Sequence, residues 1–412
     1  MKTITALLLL AGHVSAYTLH EWGTFTTVAG SDGVLLEGLE REEAPLPLFT
    51  YSHYGLENGN IPRLNGRPMK GMSRRPLAGV KVKMETPVIY FHSDKAFDVS
   101  VKVGFAGGTI SQWYPDRSAG ETLPPLPALP KQPSPEDLAK QILDFSKPYR
   151  GSIEWRARVL SPEETRNTIL FKPGESLHWM RPRVPEANAI RTPKGETEGF
   201  LFYRGIGSFD PGLTTTAGSD GTLRLENRTG EAIPFAFVFE KEGLVTRWRQ
   251  LKGGLDKGAT AEIPRDSMTM NSPAIEELMA TVFPPFPEPV YREMVEGLVS
   301  TGLLKSEATA MVETWWDSYF ATEGLRVFWV VPASKTAAIL PLEVSPAPEK
   351  QVRVIVGRSE VLRPEKEQNW LTMSRSTDPN LTANWNYLQK NDRFGIAYQR
   401  RIEALTATAA AK

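Results

Sequence analysis

The 412-residue chain contains no cysteine. That excludes a disulfide framework, a thiolate metal site and a cysteine nucleophile together. Any metal would have to be held by imidazole and carboxylate groups, and the fold by packing. An excess of one charge is also missing, with 48 Lys and Arg against 48 Asp and Glu. Proteins that grip a phosphate backbone usually carry a basic excess where they touch it, so no nucleic acid is expected as a partner. After the first residues no apolar run approaches the roughly 20 residues of a spanning helix, so no transmembrane anchor is expected. Local signatures are absent too: there is no Gly-x-Ser-x-Gly elbow, His-Glu-x-x-His, phosphate-binding glycine loop or EF-hand loop. Histidine is scarce, at 5 residues, of which His20, His53, His92 and His178 lie beyond the N-terminal stretch.

That stretch reads Met1-Lys2, then apolar residues from Ile4 to Ala11, then Val14-Ser15-Ala16. A charged start, a hydrophobic centre and a small-residue cleavage site predict a signal peptide over residues 1–16, cut after Ala16. The expected compartment is therefore the periplasm or the cell exterior. An exported chain of this size without disulfides fits a bacterial envelope or extracellular setting.

Residues 17–264 show short β-rich runs separated by Gly-, Pro- and Asp-rich turns, as antiparallel sheets require. In Phe97-Asp98-Val99-Ser100-Val101-Lys102-Val103 apolar and polar residues alternate, which predicts one buried and one wet face. Ala29-Gly30-Ser31-Asp32-Gly33 recurs as Ala217-Gly218-Ser219-Asp220-Gly221, a repeat that shared turn chemistry explains better than duplication. Six prolines between Leu123 and Pro135 predict a linker or extended surface arm over 123–135. Ser134-Pro135-Glu136-Asp137 then opens a short helix to about Phe145.

A second region, 265–404, is read as a helical segment, then strands, then a C-terminal helix opened by Asp378-Pro379, followed by a frayed tail at 405–412. Helices are expected over Ala274 to Phe283, Glu288 to Thr301 and Ser306 to Phe320. In the last, Ala308, Met311, Val312, Trp315, Trp316 and Tyr319 form one apolar stripe. The fold class is thus mainly β with a helical segment (α+β): antiparallel β-sandwich-like modules plus a helical hairpin region near 272–320.

Three segments, His20-Glu21-Trp22-Gly23-Thr24-Phe25-Thr26, Met84-Glu85-Thr86-Pro87-Val88-Ile89-Tyr90-Phe91 and Gly199-Phe200-Leu201-Phe202-Tyr203-Arg204-Gly205, resemble a family of uncharacterised exported proteins of environmental bacteria. Leu340-Pro341-Leu342 and Val352 to Arg358 extend the resemblance over most of the chain. It implies an exported bacterial protein and carries no activity, ligand or catalytic residue.

Three constellations could carry chemistry. His20, Glu21, Glu85 and His92 are the candidate ligands of a divalent metal, because imidazole and carboxylate suit zinc, manganese or iron. Alternation cautions that Glu85 and His92, seven apart, face opposite ways on one strand unless Thr86-Pro87 breaks it. Glu85 and Glu198 are the candidate catalytic carboxylates of a glycosidase, which needs two acids roughly 5–10 Å apart. His178, Trp179, Arg181, Arg183 and Arg204 are the candidate ligand-binding residues, since Arg forks beside aromatics suit carboxylate, sulfate or sugar-acid groups. Against each stands a plain alternative: hydrogen-bonded histidines, Arg–Glu pairs across a sheet, and tryptophans in the core. The expected function is an envelope or extracellular protein binding a carbohydrate or an envelope component, or else a secreted hydrolase of a polysaccharide or ester.

Overall fold

The computed structural model describes residues 16–42, 45–53, 56, 63–64, 67–68, 75–125, 127–272 and 288–410. Residues 1–15 of the signal peptide expected over 1–16, and the helix expected over Ala274 to Phe283, lie outside them. Its long strands are β1 (Tyr17–Ala29), β2 (Val88–Ser93), β3 (Phe97–Ala106), β4 (Gly108–Tyr114), β5 (Arg150–Val159), β6 (Leu201–Gly207), β7 (Ala236–Glu242), β8 (Val245–Leu251), β9 (Gly324–Val330) and β10 (Lys350–Val361). The helices that matter below are α1 (Glu288–Ser300), α2 (Lys305–Tyr319), α3 (Pro364–Arg375), α4 (Pro379–Asn391) and α5 (Gly395–Ala410). The chain is mainly β with helices, as the pattern of its β-rich runs and helical stretches predicts.

One 11-stranded sheet dominates, and β1 and β10 run side by side at its centre. They pair in parallel along their whole length, from Thr18 opposite Lys350 to Ala29 opposite Val361. The ladder runs across the expected division at 264/265, joining a strand from the region 17–264 to one from the region 265–404. Neighbours on both sides are antiparallel: β2 on one flank of β1, β9 and then β7 on the flank of β10. β9 comes close to β10 because Gly357 lies opposite Trp329, and a Cβ there would sit 2.3 Å from the indole.

The second sheet has six strands built on the antiparallel pair β3 and β5. The alternation seen in the sequence survives: Val99, Val101, Val103 and Phe105 are buried while Asp98 and Lys102 face outward. Opposite them on β5 lie Ala157, Trp155, Ile153 and Gly151. These side chains share one core with Leu19, Phe25, Ile89, Phe91, Tyr203 and Ile355 of the large sheet.

The other face of the large sheet, carrying Trp22, Tyr90, Phe202, Phe237, Phe328 and Val354, is covered by α1 and α2. The apolar stripe of α2 is buried there, with Met311, Trp315 and Tyr319 each at most 3% exposed. A third cluster lies under α3, α4 and α5, around Trp370, Trp385 and Tyr398. The tail expected to fray from Leu405 is helical through Ala410, because α5 packs Ile402 into that cluster and continues past it.

The repeated Gly-Ser-Asp-Gly segment is turn chemistry in both places. Asp32 Oδ1 accepts from Val34 N at 3.2 Å and Asp220 Oδ1 from Thr222 N at 2.9 Å, while Gly33 and Gly221 hold φ near +83° and +82°. The proline-rich arm is exposed and irregular over its described residues, and the helix after it is shorter than expected, Pro135–Ala139. Among the described residues, no helix is long and apolar enough to cross a membrane.

Candidate metal centre

The register of β1 and β2 decides which polar side chains meet. His20 lies opposite Tyr90, and Thr18 opposite His92. His20 and His92 are therefore diagonal neighbours on one face, two positions apart, within reach of long side chains. Their ring centroids lie 4.8 Å apart. That face is the one α2 covers, and the helix brings a carboxylate onto them. Glu307 Oε2 lies 2.7 Å from His20 Nδ1, and Glu307 Oε1 lies 3.1 Å from His92 Nε2. One ligand atom from each of the three residues falls within 4.8 Å of the others.

Glu307 is fixed by its place in the helix. It sits in the first turn of α2, where its Oε2 accepts from the Leu304 backbone N–H at 2.9 Å, an end of the helix that favours negative charge. Burial pushes its pKa up, but hydrogen bonds from His20 and His92 outweigh it and draw the carboxyl down to about 2. The carboxylate has no solvent exposure.

The hydrogen bonds of His92 narrow the chemistry further. Its Nδ1 lies 3.1 Å from the Glu186 carbonyl oxygen and its Nε2 3.1 Å from the Glu307 carboxylate. Both groups are acceptors. An imidazole between two acceptors must carry an electrophile on each nitrogen, either two protons or one proton and a metal ion. Metal-ligating histidines commonly give one ring N–H to a backbone carbonyl, as His92 can to Glu186, and keep the other nitrogen for the ion. Two ligands about 2.0 Å from one tetrahedral ion lie about 3.3 Å apart; the two His–Glu contacts, 2.7 and 3.1 Å, are near that separation, while the three ligand atoms together span up to 4.8 Å.

Access runs through His92. A cavity of about 500 Å³ is lined by His92, Ser93, Asp94, Thr165, Arg166, Asn188 and Glu349, among others. Asn188 anchors its wall, donating from Nδ2 to the Ser93 and Leu160 carbonyls at 3.0 and 2.8 Å.

Of the four sequence-predicted ligands, the structure brings His20 and His92 together and holds the two acids elsewhere. Glu21 neighbours His20 on a strand, so it points into the opposite core, where it accepts from Tyr203 Oη at 2.6 Å and Arg353 Nε at 2.5 Å. Glu85 lies in the break between the strand Val82–Met84 and β2, and its carboxylate pairs with Arg393. Sequence reasoning missed Glu307, which is 215 residues from His92. Its one local signal, an acid three residues into a helix, reads as a cap.

The carboxylate pair fares differently. Glu198 is fully buried, held in a fork by Arg183 (2.8 and 2.9 Å), by Lys172 at 3.0 Å and by the Trp179 indole N–H at 3.1 Å. Burial raises the Glu198 pKa, yet its hydrogen bond to Arg183 and the charge of Lys172 bring it below the ordinary value. Burial likewise pushes Glu85 up, and Arg393 and Lys83 hold it down. A glycosidase needs one carboxyl raised to serve as acid, and neither meets that need.

Of the ligand-binding set, Arg183 is committed to Glu198 and Glu175, Arg204 to the Glu85 carbonyl and Glu42, and Arg181 to the Glu313 carbonyl. His178 is half exposed, 3.4 Å from Asp317. His178, Trp179 and Arg204 nevertheless line one aromatic pocket of about 220 Å³ with Phe202, Trp315 and Tyr319. All ten tryptophans are less than 9% exposed, so they form no open stacking platform.

No protein-family model matches the chain, and no curated protein matches it in sequence. What distinguishes Glu307 is therefore a matter of chemistry within the molecule. Seven glutamates are buried among the described residues: Glu21, Glu85, Glu198, Glu240, Glu307, Glu360 and Glu367. Six pair with arginine, namely Arg353, Arg393, Arg183, Arg363, Arg326 and Arg401. A guanidinium does not release its proton, so those pairs are locked. Glu307 pairs with two imidazoles, which can exchange protons for a metal.

Proposed function

We propose that this is an exported metalloprotein that holds one divalent transition-metal ion on His20, His92 and Glu307 and serves as a hydrolase of a polysaccharide or ester. The observation that carries the reading is the pairing of Glu307 with two imidazoles, where every other buried glutamate among the described residues meets an arginine. Two histidines and one carboxylate suit zinc or iron, and a set of three protein ligands leaves a position for water or substrate, whereas structural zinc sites usually fill all four. Bound there, the ion would act as a Lewis acid and lower the pKa of a coordinated water. The chain's own part is to keep Glu307 ionised, to orient His92 through the Glu186 carbonyl, and to admit a polar substrate through the cavity that Asp94, Arg166 and Glu349 line. Export is supported by the sequence of residues 1–16, and a two-sheet sandwich with a helical hairpin by the core that β3 and β5 share with the large sheet and by the burial of α1 and α2 on its far face.

A non-catalytic protein binding a glycan or envelope component is the second reading, and the aromatic pocket around Trp179 favours it. Elemental mass spectrometry on the purified protein, after reconstitution with zinc, manganese or iron and removal of excess, separates the two. One equivalent of metal is expected, lost in His20→Ala, His92→Ala and Glu307→Gln. Wild-type protein that retains none of the three metals would sink the proposal and move the question to glycan arrays.

A further inference from the structure

The pocket of about 220 Å³ around Trp179 is lined by two separate groups of rings. One comes from β6 and the chain before it. Trp179, on the short helix Leu177–Met180, meets Phe202 edge-on at 5.1 Å and tilts against Phe200 at 5.5 Å. The other belongs to the end of α2, where Trp315 stacks on Tyr319 at 5.4 Å. All five rings are at most 4% exposed. Among the described residues no ring contact joins one group to the other, so the pocket is a space flanked by two aromatic surfaces.

The charged residues of the wall are committed within the protein. Arg204 donates to the Glu85 carbonyl and pairs with Glu42, and the Glu85 carboxylate pairs with Arg393. Thr314 and Ser318 donate their hydroxyls to the Ala310 and Trp315 carbonyls of their own helix. A ligand bearing a charge or many hydroxyls would lose hydration here that the wall does not replace. Polar groups open to solvent stand at the mouth instead: His178 and Asp317, 3.4 Å apart, with side chains 47% and 67% exposed. Large apolar residues adjoin that mouth. Leu48 follows Pro47 of the lining, Leu177 separates Ser176 from His178, and both are exposed.

Size and shape narrow the occupant further. An apolar cavity of about 150 Å³ holds benzene, so this pocket has room for one ring and a small substituent. Rings attract one another edge-to-face or offset, a contact that a saturated ring makes less well.

We propose that this pocket binds a neutral single-ring phenolic compound, its ring between Trp179 and Trp315 and its hydroxyl donating to Asp317 at the mouth. The site does not rest on the metal centre, because α2 carries Glu307 in its first turn and Trp315 to Tyr319 at its other end. A sugar, by contrast, would bring several hydroxyls against walls whose polar groups are already paired.

Isothermal titration of the full chain in chelator tests this, with para-cresol as the probe and methylcyclohexanol and methyl glucoside as comparisons. Saturable one-site binding of para-cresol is expected, with methylcyclohexanol about threefold weaker or more and no binding of the glucoside. Thr314→Phe places a ring in the pocket from the half-buried surface of α2 and should weaken binding tenfold or more, about 1.4 kcal/mol. Asp317→Ala removes only an exposed side chain and should weaken binding about threefold by loss of the acceptor. Lys102→Ala, on the exposed face of β3, should leave it unchanged. No saturable para-cresol binding by the wild type, equal binding of methylcyclohexanol, a glucoside that binds instead, or unchanged affinity in a folded Thr314→Phe would overturn the inference. Should Thr314→Phe fail to fold, Asp317→Ala decides, and unchanged affinity there overturns it as well.

Discussion

Replacing Glu307 by Gln removes the negative charge between His20 and His92 while keeping the volume and an acceptor for the Leu304 N–H. The Glu307 carboxyl is drawn from an ordinary 4.5 to about 2 in the folded chain, where the bonds from the two histidines outweigh the upward push of burial. Such a difference is worth roughly 3 kcal/mol of folding free energy. Its sign follows from the depressed folded value: the contribution is complete above pH 4.5 and is lost as the pH falls towards 2. Urea unfolding in chelator at pH 6 should therefore find Glu307→Gln about 3 kcal/mol less stable than wild type, and at pH 3 only about half that or less. All other carboxylates titrate in both proteins and cancel in the difference. A difference independent of pH, or none at pH 6, would refute the claim that ionised Glu307 is what the two histidines hold.

Glu21→Gln should cost about 3–5 kcal/mol, because it leaves Arg353 buried beside Tyr203 without its counter-charge, while metal uptake stays at the wild-type level. Uptake lost in a folded Glu21→Gln would place Glu21 at the metal after all. Glu198→Gln strips Arg183 and Lys172 of their shared partner and should lower the melting temperature by several degrees in a circular-dichroism melt; an unchanged melt would contradict the ion-pair reading. Gly297→Ala improves helix propensity by about 1 kcal/mol, but its Cβ would fall 2.0 Å from the Phe235 ring, so net destabilisation of about 1–2 kcal/mol is expected and a raised melting temperature would show that the ring yields.

What could be read beforehand divides along physical lines. The strands of β3 and β5 were legible because alternation is written in consecutive residues, and the ends of α2 because its apolar stripe has helical spacing. The parallel pairing of β1 with β10 was not, since contacts more than 300 residues apart leave no local trace. The condition that alternation leaves open, a break at Thr86-Pro87, is met: Glu85 lies outside the strand that carries His92.

The metal centre shows the same division in miniature. Adjacency in sequence made Glu21 the natural companion of His20, yet adjacency on a strand is what sends the two to opposite cores. Of each strand's polar residues, only those sharing a face with Trp22 and Tyr90 can meet α2, and that selects His20 and His92. The third ligand then had to come from whatever covers that face. Any carboxylate from β1 or β2 that shared their face would stand at even spacing from them, and the sequence offers none there. The acid comes instead from a helix whose first turn tolerates a buried negative charge, which is why Glu307 can remain ionised with two imidazoles and the Leu304 backbone N–H for partners.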